Sequence, residues 1–284
     1  MPEGDTIFRA ARTLNLALAG RVVTRFDSVF PALTRVDTDA PLAGRTVDRV
    51  WAQGKHLLIG FSGGLTLRTH MRMSGSWHVY RPGERWQRPG ADMRIVIETD
   101  AFVAVAFQVP VAEFLTETAL PRSRTLNTLG PDLLDDAFDE ADALRRLRDR
   151  HDVPLGEALL DQRAIAGIGN VYKSETCFLA GVNPFTAVAA LDDEQLRQVL
   201  TVARRLMAVN VRPGARGGIV TYRGLRPAGH SDPGAQHWVY GRRGRPCRRC
   251  GAPIRARKQG VDARTTYWCE RCQGAQTKTM TNAD

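Results

Sequence analysis

Long hydrophobic runs are absent from this sequence, and so is the apolar stretch of a signal peptide. No segment approaches the roughly 18 consecutive apolar residues that span a bilayer. The first five residues include two acids rather than a basic start before an apolar run. With 43% hydrophobic and 25% charged residues, the composition is that of an ordinary globular protein. We therefore expect a cytoplasmic protein without a membrane segment, whose 284 residues form more than one domain.

Excess positive charge is missing from the first three quarters of the chain. Residues 1–211 contain 25 basic and 26 acidic residues, a net charge of −1, whereas residues 212–284 contain 15 basic and 4 acidic residues, a net charge of +11. A basic segment of this kind binds polyanions, most commonly nucleic acid. A basic surface that serves only solubility is the alternative from composition alone.

The first 120 residues carry the pattern of one helix followed by short strands. Ile7, Ala11, Leu14 and Leu18 recur at helical spacing, and Gly20 follows as a stop signal. Stretches rich in β-branched and aromatic residues come next: RVVTRFDSVF, RTVDRVWAQ, HLLIGF, LTLRTHM, SWHVY, MRIVIETD and FVAVAF. Their rhythm is typical of an antiparallel sandwich or barrel rather than of βαβ units.

Beyond residue 120 the pattern becomes helical, and the longest helical stretch opens with Asp192 and Gln195 spaced as a capping box. Residues 212–234 contain six Gly and three Pro and are predicted to form a mobile loop. We predict an α+β protein with no internal repeat. Its divisions are an N-terminal β-sandwich with a leading helix (1–120), a linker (121–135), a helical domain (136–236), a four-cysteine finger (237–275) and a tail (276–284).

Cysteines are few, and four of the five form two C-x-x-C pairs. Cys247 and Cys250 are followed, after 18 residues, by Cys269 and Cys272. Two such pairs in a cytosolic chain favour one structural Zn²⁺ in a closed tetrahedral site that leaves no position for catalysis. Two disulfides or a redox pair are the alternatives, although disulfides suit secreted chains and a redox site needs one pair. The fifth cysteine, Cys177, is predicted to be buried in a helix.

The residues between the two cysteine pairs read as two strands around Gly260, which predicts a zinc-ribbon hairpin with Arg264 near its turn. Upstream, the stretch LLDQRAIAGIGNVYKSE places two glycines between two helices. The N-terminus of the second helix offers free N–H groups to an anion such as a phosphate. Asn170 adds a side-chain donor and Lys173 a charge. A turn between helices that binds nothing is the alternative.

The opening residues, MPEGDT, place Pro2 directly after the initiator Met. Removal of Met1 exposes a secondary amine, which is partly neutral near pH 7 and is disfavoured as an ammonium ion beside the positive end of a helix. A secondary amine converts an aldehyde into a cationic iminium that acidifies the adjacent C–H bond. Glu3 is placed to transfer protons. The alternative is that Pro2 and Glu3 have no catalytic role and only begin the helix, since both residue types are favoured at a helix start.

Taken together, these motifs resemble the formamidopyrimidine-DNA glycosylase/endonuclease VIII family. The resemblance covers essentially the whole chain and is most like the actinobacterial endonuclease VIII branch. It depends on MPEGD, QGKHL, MRMSGS, LLDQRAIAGIGNVYKSE and the terminal CRRC…RTTYWCERCQ, in the order of the family. It implies a β-sandwich, a helical domain with a helix–two-turn–helix, and a zinc finger, acting together on DNA as a glycosylase and AP lyase.

The resemblance also implies roles for individual residues. Pro2 would be the Schiff-base nucleophile at C1′, and Glu3 the proton-transfer residue. Lys55 would contact the phosphate or sugar beside the lesion; without the resemblance it reads as a solvated turn lysine. The implied DNA-contacting residues are Asn170 and Arg264 at the flanking phosphates, Lys173, Glu175 as a family acid, and Met73 on a loop that fills the gap left by the flipped base. An ordinary core methionine is the alternative for Met73.

Two departures from the family pattern stand out. Members usually have Pro and Glu where this chain has Asp5 and Thr6. The segment FQVPVAEFL does not show the Arg and Phe that intercalate opposite the lesion in the formamidopyrimidine branch.

The function expected is therefore a monomeric DNA repair enzyme with one structural Zn²⁺. It would remove oxidised bases, pyrimidines first, and cleave AP sites by β,δ-elimination in damaged double-stranded DNA. A catalytically weak protein of the same fold that binds damaged or single-stranded DNA is the alternative. A zinc-ribbon RNA-binding factor would explain the basic C-terminus but leaves MPEGD unexplained.

Overall fold

The computed structural model describes residues 2–213, 218–222 and 234–274. The chain divides into two compact units, Met1–Leu134 and Asp135–Asp284. No helix among the described residues has the length and apolar character needed to cross a bilayer.

The first unit contains two four-stranded antiparallel sheets, with strand orders β1-β6-β7-β5 and β2-β3-β4-β8. The predicted sandwich is confirmed. Its strands are β1 (Val23–Ser28), β2 (Val47–Gln53), β3 (His56–Phe61), β4 (Leu65–His70), β5 (Ser76–Tyr80), β6 (Met93–Thr99), β7 (Val103–Phe107) and β8 (Val111–Thr116). Its helices are α1 (Gly4–Leu18), α2 (Pro31–Asp39) and α3 (Arg124–Asn127).

Helix α1 is held against the β2-β3-β4-β8 sheet by its predicted apolar face. Leu14 and Leu18 are buried in the same cluster as Leu57 and Ile59 of β3. Burial of each such side chain contributes roughly 1.5–3 kcal/mol to stability. The helix that follows Pro2 and Glu3 is therefore anchored in the core.

Two elements of this unit differ from the sequence-based expectation of one helix followed by strands. Helix α2 was not predicted, because Leu33 is its only fully buried residue and the segment lacks an apolar stripe. Its signal is Pro31 at the first helical position, where the missing N–H costs nothing. The segment FQVPVAEFL turns at Gln108, which has a φ of +50°, and then forms the edge strand β8.

The second unit combines five helices and a hairpin within the residues that the structure describes. They are α4 (Glu140–Arg148), α5 (Leu155–Ala158), α6 (Asn170–Leu179), α7 (Asp193–Val211), β9 (Arg255–Gln259), β10 (Arg264–Trp268) and α8 (Glu270–Gln273). The predicted capping box is present at the start of α7, where Asp192 and Gln195 bond reciprocally. The predicted ribbon hairpin is β9–β10. It packs against α6 inside this same unit.

The predicted mobile loop at 212–234 lies partly outside the described residues, as does the predicted tail at 276–284. The described part of the loop, residues 218–222, is firmly anchored. Asn210 of α7 pairs with Val220 through two hydrogen bonds, donating to its oxygen at 3.0 Å and accepting from its nitrogen at 2.9 Å. Thr221 and Tyr222 both donate their backbone N–H to the oxygen of Gln236.

Candidate functional site

The N-terminal residues form a compact start to α1. Glu3 is the N-cap residue in an extended conformation, and its backbone oxygen accepts hydrogen bonds from Thr6 (3.0 Å) and Ile7 (3.1 Å). Its side chain is fully buried, whereas Pro2 is partly exposed. A buried carboxyl group therefore lies one residue from the Pro2 nitrogen, at the positive end of a helix.

The two departures from the family pattern lie in the first turn of the same helix. Asp5 is buried, and its Oδ2 is 3.4 Å from Nη2 of Arg9. The hydroxyl of Thr6 donates to Oδ1 of Asp5 at 3.4 Å. The Asp5 carboxylate is thus engaged by its own helix.

Lys55 occupies a two-residue turn between β2 and β3. Gly54, the other turn residue, has a φ of +58°, a conformation that favours glycine. Its N–H donates to Oδ2 of Asp132 at 2.6 Å. Oδ1 of Asp132 accepts from the N–H of Leu134 at 3.0 Å. A carboxylate near the end of the first unit therefore fixes the turn that presents Lys55.

Two histidines accompany Lys55. His56 lies directly opposite His70 in the β3–β4 pair, with ring centroids 4.9 Å apart. Burial, followed by the nearby cations, lowers the pKa of His56 to about 3 and that of His70 to about 4. Lys55 is one of those cations in both cases, so both rings are neutral at physiological pH. Neither histidine was singled out from the sequence. The signal for the pair is their equal distance from the tight turn at 62–64, which places His56 opposite His70 in an antiparallel hairpin.

Met73 lies on the loop between β4 and β5. It is 59% exposed, whereas Met71 is 2% exposed and belongs to the core. The loop is held tightly at its base, since Gly75 donates to the oxygen of Met71 at 2.9 Å and a Cβ at Gly75 would approach that oxygen to 2.6 Å. The core alternative for Met73 is excluded, and its predicted contact with DNA stays a prediction.

The glycine-containing turn and the ribbon hairpin meet at the N-terminus of α6. Asn170, the first residue of α6, donates from Nδ2 to the backbone oxygen of Thr265 at 2.9 Å. Arg264, the neighbour of Thr265, is half-exposed and lies 3.8 Å from Asp262. The structure therefore places the Asn170 side chain against the residue that follows Arg264, and the predicted phosphate contacts of Asn170 and Arg264 stay a prediction.

Two residues predicted to contact DNA are in the interior instead. Lys173 is completely buried and donates from Nζ to the hydroxyl of Thr266 at 2.5 Å. That hydroxyl donates to Gln259, which in turn donates to the oxygen of Pro184. The lysine thus joins α6 to the hairpin and has no exposed surface for a phosphate.

Glu175 is equally buried, and backbone N–H groups converge on its carboxylate. Oε1 accepts from Val239 and Tyr240, and Oε2 from Trp238, each at 2.8 Å. Oε2 also accepts from the hydroxyl of Thr221. Because a carboxylate is acceptor-only, this arrangement satisfies it completely within the protein. Glu175 and Lys173 are corrected from DNA contacts to residues that organise the second unit.

Part of the basic C-terminal charge is also used internally. The guanidinium of Arg248 donates to the oxygen of His237 at 3.0 Å and lies 3.8 Å from the ring centroid of Tyr222. Arg242 is buried and donates to the oxygens of Trp238 and Pro246. The net charge calculated from the sequence treated both arginines as available to bind a polyanion.

The four paired cysteines form one cluster whose sulfur atoms all lie within 4.8 Å of one another. The Sγ atoms of Cys247 and Cys272 are 3.9 Å apart, and those of Cys250 and Cys269 are 3.5 Å apart. A disulfide needs about 2.05 Å. A tetrahedral zinc site with Zn–S bonds of about 2.3 Å has sulfur–sulfur edges of about 3.8 Å. The cluster therefore fits one metal ion and excludes the two-disulfide alternative.

The first unit thus carries Pro2, Glu3, Lys55 and Met73, and the second carries Asn170, Arg264 and the four-cysteine cluster. The described residues form a helix-led antiparallel sandwich and a helical unit with a four-cysteine hairpin. Two family models match the chain: the formamidopyrimidine-DNA glycosylase N-terminal domain at residues 1–110, and the H2TH domain of the same glycosylase at residues 129–221.

The chain belongs to the formamidopyrimidine-DNA glycosylase/endonuclease VIII family, which confirms the resemblance seen in the sequence. It is 46% identical to the probable endonuclease 8 2 of Streptomyces coelicolor, over 96% of this chain and 94% of that protein. It is 40% identical to endonuclease 8 2 of Mycobacterium tuberculosis and 38% identical to the DNA-(apurinic or apyrimidinic site) lyase Nei2 of Mycolicibacterium smegmatis. The matches cover 96% and 97% of this chain, respectively, and all of each relative.

Solved structures agree on the fold. The Lactococcus lactis formamidopyrimidine-DNA glycosylase bound to DNA containing an AP site has a TM-score of 0.79 at 21% identity, covering 96% of this chain and all of that chain. At this identity the likeness supports the architecture of the sandwich and the helical unit.

Proposed function

We propose that this protein is a bifunctional DNA glycosylase and AP lyase that acts as a cytoplasmic monomer on damaged double-stranded DNA. Its proposed substrates are oxidised bases, pyrimidines first, and AP sites. The observation that carries the proposal is the Pro2–Glu3 pair at the start of a core-anchored helix, in a chain of this family. The relative named as an AP lyase supports the lyase activity.

The proposed reaction begins once Met1 has been removed. The Pro2 nitrogen attacks C1′ of an everted nucleotide, and the base departs with the electrons of the glycosidic bond and takes up a proton. Opening of the sugar leaves a cationic iminium, with Glu3 supplying the proton to the ring oxygen. Water takes up the C2′ proton, the electron pair of the C2′–H bond passes to the iminium to give an enamine, and the enamine expels the 3′ phosphate. A second elimination, with loss of a further proton to water, expels the 5′ phosphate, and hydrolysis of the remaining iminium by water releases Pro2.

Positive and neutral donors would hold the strand during these steps. Lys55 supplies an ammonium group and the neutral His70 an N–H donor, because Nδ1 of His70 already accepts from the N–H of Arg72 at 3.1 Å. In the second unit, Asn170 and Arg264 would contact flanking phosphates. Such contacts make affinity fall with rising salt concentration.

The four cysteines would hold one Zn²⁺, which supplies structural cross-linking and no open coordination position. Their role is to fix the hairpin that carries Arg264. Cys247 and Cys250 come from the turn before β9, and Cys269 and Cys272 from the residues after β10, so a metal held by all four would link the two ends of the hairpin.

The experiment that tests the proposal is borohydride trapping on a duplex with one AP site. The wild-type protein should form a covalent adduct, and a form that retains Met1, in which the Pro2 nitrogen is an amide, should not. Intact-mass analysis of the same preparations establishes the state of the N-terminus. An adduct that persists when Pro2 is blocked would move the nucleophile elsewhere, with Lys55 the first residue to replace.

Binding without catalysis is the competing function, and the position of Asp5 favours it. Thr6 stands where family members usually have a glutamate, and the neighbouring Asp5 contacts Arg9 and Thr6 of its own helix, which motivates this alternative. Tight binding of AP-site DNA by the processed wild-type protein, with no nicking and no adduct, would favour this alternative.

A further inference from the structure

A buried arginine on β4 contacts both neighbouring strands, β3 and β8, of the sheet that also carries the Lys55 turn. Arg68 of β4 has a side chain that is only 7% exposed. Its Nε donates to Oε1 of Glu113 on β8 at 2.7 Å, and its Nη1 donates to Nδ1 of His56 on β3 at 3.0 Å. The register pairs Arg68 directly with Glu113, so the contact follows from the β4–β8 alignment.

These hydrogen bonds determine where the histidine protons are. Arginine is a donor only, so Nδ1 of His56 must carry a lone pair toward Arg68. Nδ1 of His70 likewise accepts, from the backbone N–H of Arg72. In their neutral forms both imidazoles therefore carry their proton on Nε2.

Burial is the largest cause that keeps the rings neutral, and the surrounding charges add to it. The cations that act on the two histidines are Lys55, Arg68 and Arg72, and Glu113 compensates Arg68 from the far side. A proton on His56 would add positive charge 3.0 Å from a guanidinium that already lacks solvent. The row from Glu113 through Arg68 to His56 thus places a permanent cation where it opposes protonation of the pair.

We infer that Glu113, Arg68 and His56 are positioning residues: the row fixes the His56 ring, and this ring packs against His70 and holds it next to Lys55 so that His70 and Lys55 together bind one DNA phosphate. None of the three needs to touch DNA. The inference rests on the proposed function for the identity of the ligand, whereas the hydrogen-bonded row and the tautomers are properties of the free protein.

The first test is NMR spectroscopy of the imidazole nitrogens in the full-length free protein. In wild-type protein, His56 and His70 should be neutral Nε2–H tautomers at pH 6. In Arg68→Leu, both should titrate higher than in the wild type, nearer to the ordinary value of about 6.5. The control is Arg25→Leu, which removes an exposed arginine paired with Glu98 on the other sheet and should change neither ring. An Nδ1–H tautomer of His70, or titration unchanged by Arg68→Leu, overturns the inference.

Glu113→Gln keeps the test available if Arg68→Leu does not fold, because the Glu113 side chain is 44% exposed. Loss of its charge leaves Arg68 uncompensated. In Glu113→Gln, the two histidines should then titrate lower than in the wild type. Arg68→Lys keeps the positive charge, so its histidines should titrate closer to the wild-type values than those of Arg68→Leu. A rise in both titrations with Glu113→Gln counts against the row.

The second test measures binding to a duplex that contains one tetrahydrofuran abasic analogue, across a range of salt concentrations. Lys55→Ala should reduce the slope of log K against log[salt] by about 0.9, the value of one phosphate contact. Arg68→Leu should weaken binding about tenfold through the same contact. The double variant with Arg68→Leu and Lys55→Ala should bind no more weakly than Lys55→Ala alone. Additive losses would show that Arg68 acts elsewhere and overturn the inference.

The two tests separate this inference from the proposed enzyme function. Absence of a borohydride adduct with wild-type protein would end the proposed chemistry while leaving the NMR result intact. An adduct with wild-type protein, together with unshifted histidines in Arg68→Leu, would retain the enzyme and end the positioning role.

Discussion

The side-chain amide of Asn170 donates a 2.9 Å hydrogen bond to the backbone oxygen of Thr265, the residue that follows Arg264. This bond joins the N-terminus of α6 to strand β10 and orients the amide. It also couples the two groups proposed to hold the phosphates beside the lesion. A change at Asn170 should therefore affect both.

Asn170→Asp is expected to weaken binding to tetrahydrofuran-containing DNA by about tenfold or more, because a carboxylate loses the donor and repels both the Thr265 oxygen and the phosphates. Fluorescence anisotropy at fixed salt measures this. Asn183→Asp is the matched control, since the Asn183 side chain accepts from the N–H of Phe185 and keeps that role as a carboxylate. Equal affinity of Asn170→Asp and wild-type protein would remove Asn170 from the phosphate site.

Glu175 should be a major stabilising residue of the second unit. Glu175→Ala leaves three backbone N–H groups and the Thr221 hydroxyl without their acceptor, and should lower the free energy of unfolding of this unit by about 3–5 kcal/mol. Chemical denaturation followed by tryptophan fluorescence measures it, because Trp238 is one of the donors. Glu270→Gln, which breaks the exposed pair with Arg255, should cost under about 1 kcal/mol. Similar losses for the two variants would contradict the assignment.

Thiol reactivity should distinguish the clustered cysteines from Cys177. Mass spectrometry and metal analysis should give one zinc per chain, and chelation should make four thiols reactive toward a disulfide reagent. Cys177 should react only after unfolding, because burial raises its pKa to about 12. Cys177→Ser should leave the count of chelation-exposed thiols at four. Reaction of Cys177 in the folded protein, or no metal in freshly purified protein, would contradict this.

The first unit should lose stability as pH falls from about 6.5 toward 4. His56 and His70 have folded-state pKa values of about 3 and about 4, below the unfolded value of about 6.5, so the unfolded chain binds more protons across this window. Their contribution is complete above pH 6.5 and disappears as pH falls. Melting temperatures between pH 7 and 5 should decline, and His56→Gln should flatten the decline. His151→Gln, at an exposed histidine beside Asp152, should leave it unchanged.

The sequence was most informative where periodicity or a tight motif determines structure. The stretches HLLIGF and LTLRTHM, the capping box at Asp192 and the spacing of the C-x-x-C pairs each predict one local arrangement, and the structure has all three. Helix α2 was missed because only one of its residues is fully buried, so no apolar stripe marks it.

The roles of Lys173 and Glu175 could not be predicted for a different reason. A charged residue near a glycine turn normally faces solvent, and only the tertiary packing of the hairpin on α6 buries both. Their partners, Thr266 and the backbone of residues 238–240, lie more than 60 positions away along the chain. The local sequence pattern does not predict contacts between residues so far apart in the chain. The Glu113–Arg68–His56 row depends in the same way on the alignment of three strands.

The anchoring of α1 has a practical consequence for preparing the protein. Because the helix that follows Pro2 is fixed in the core by Ile7, Leu14 and Leu18, extra residues at the amino end have no reason to disturb folding. Under the proposed chemistry, an amino-terminal purification tag would yield a correctly folded and yet inert preparation, since it would turn the Pro2 amine into an amide. A tag that is cleaved to leave proline first would restore the free secondary amine.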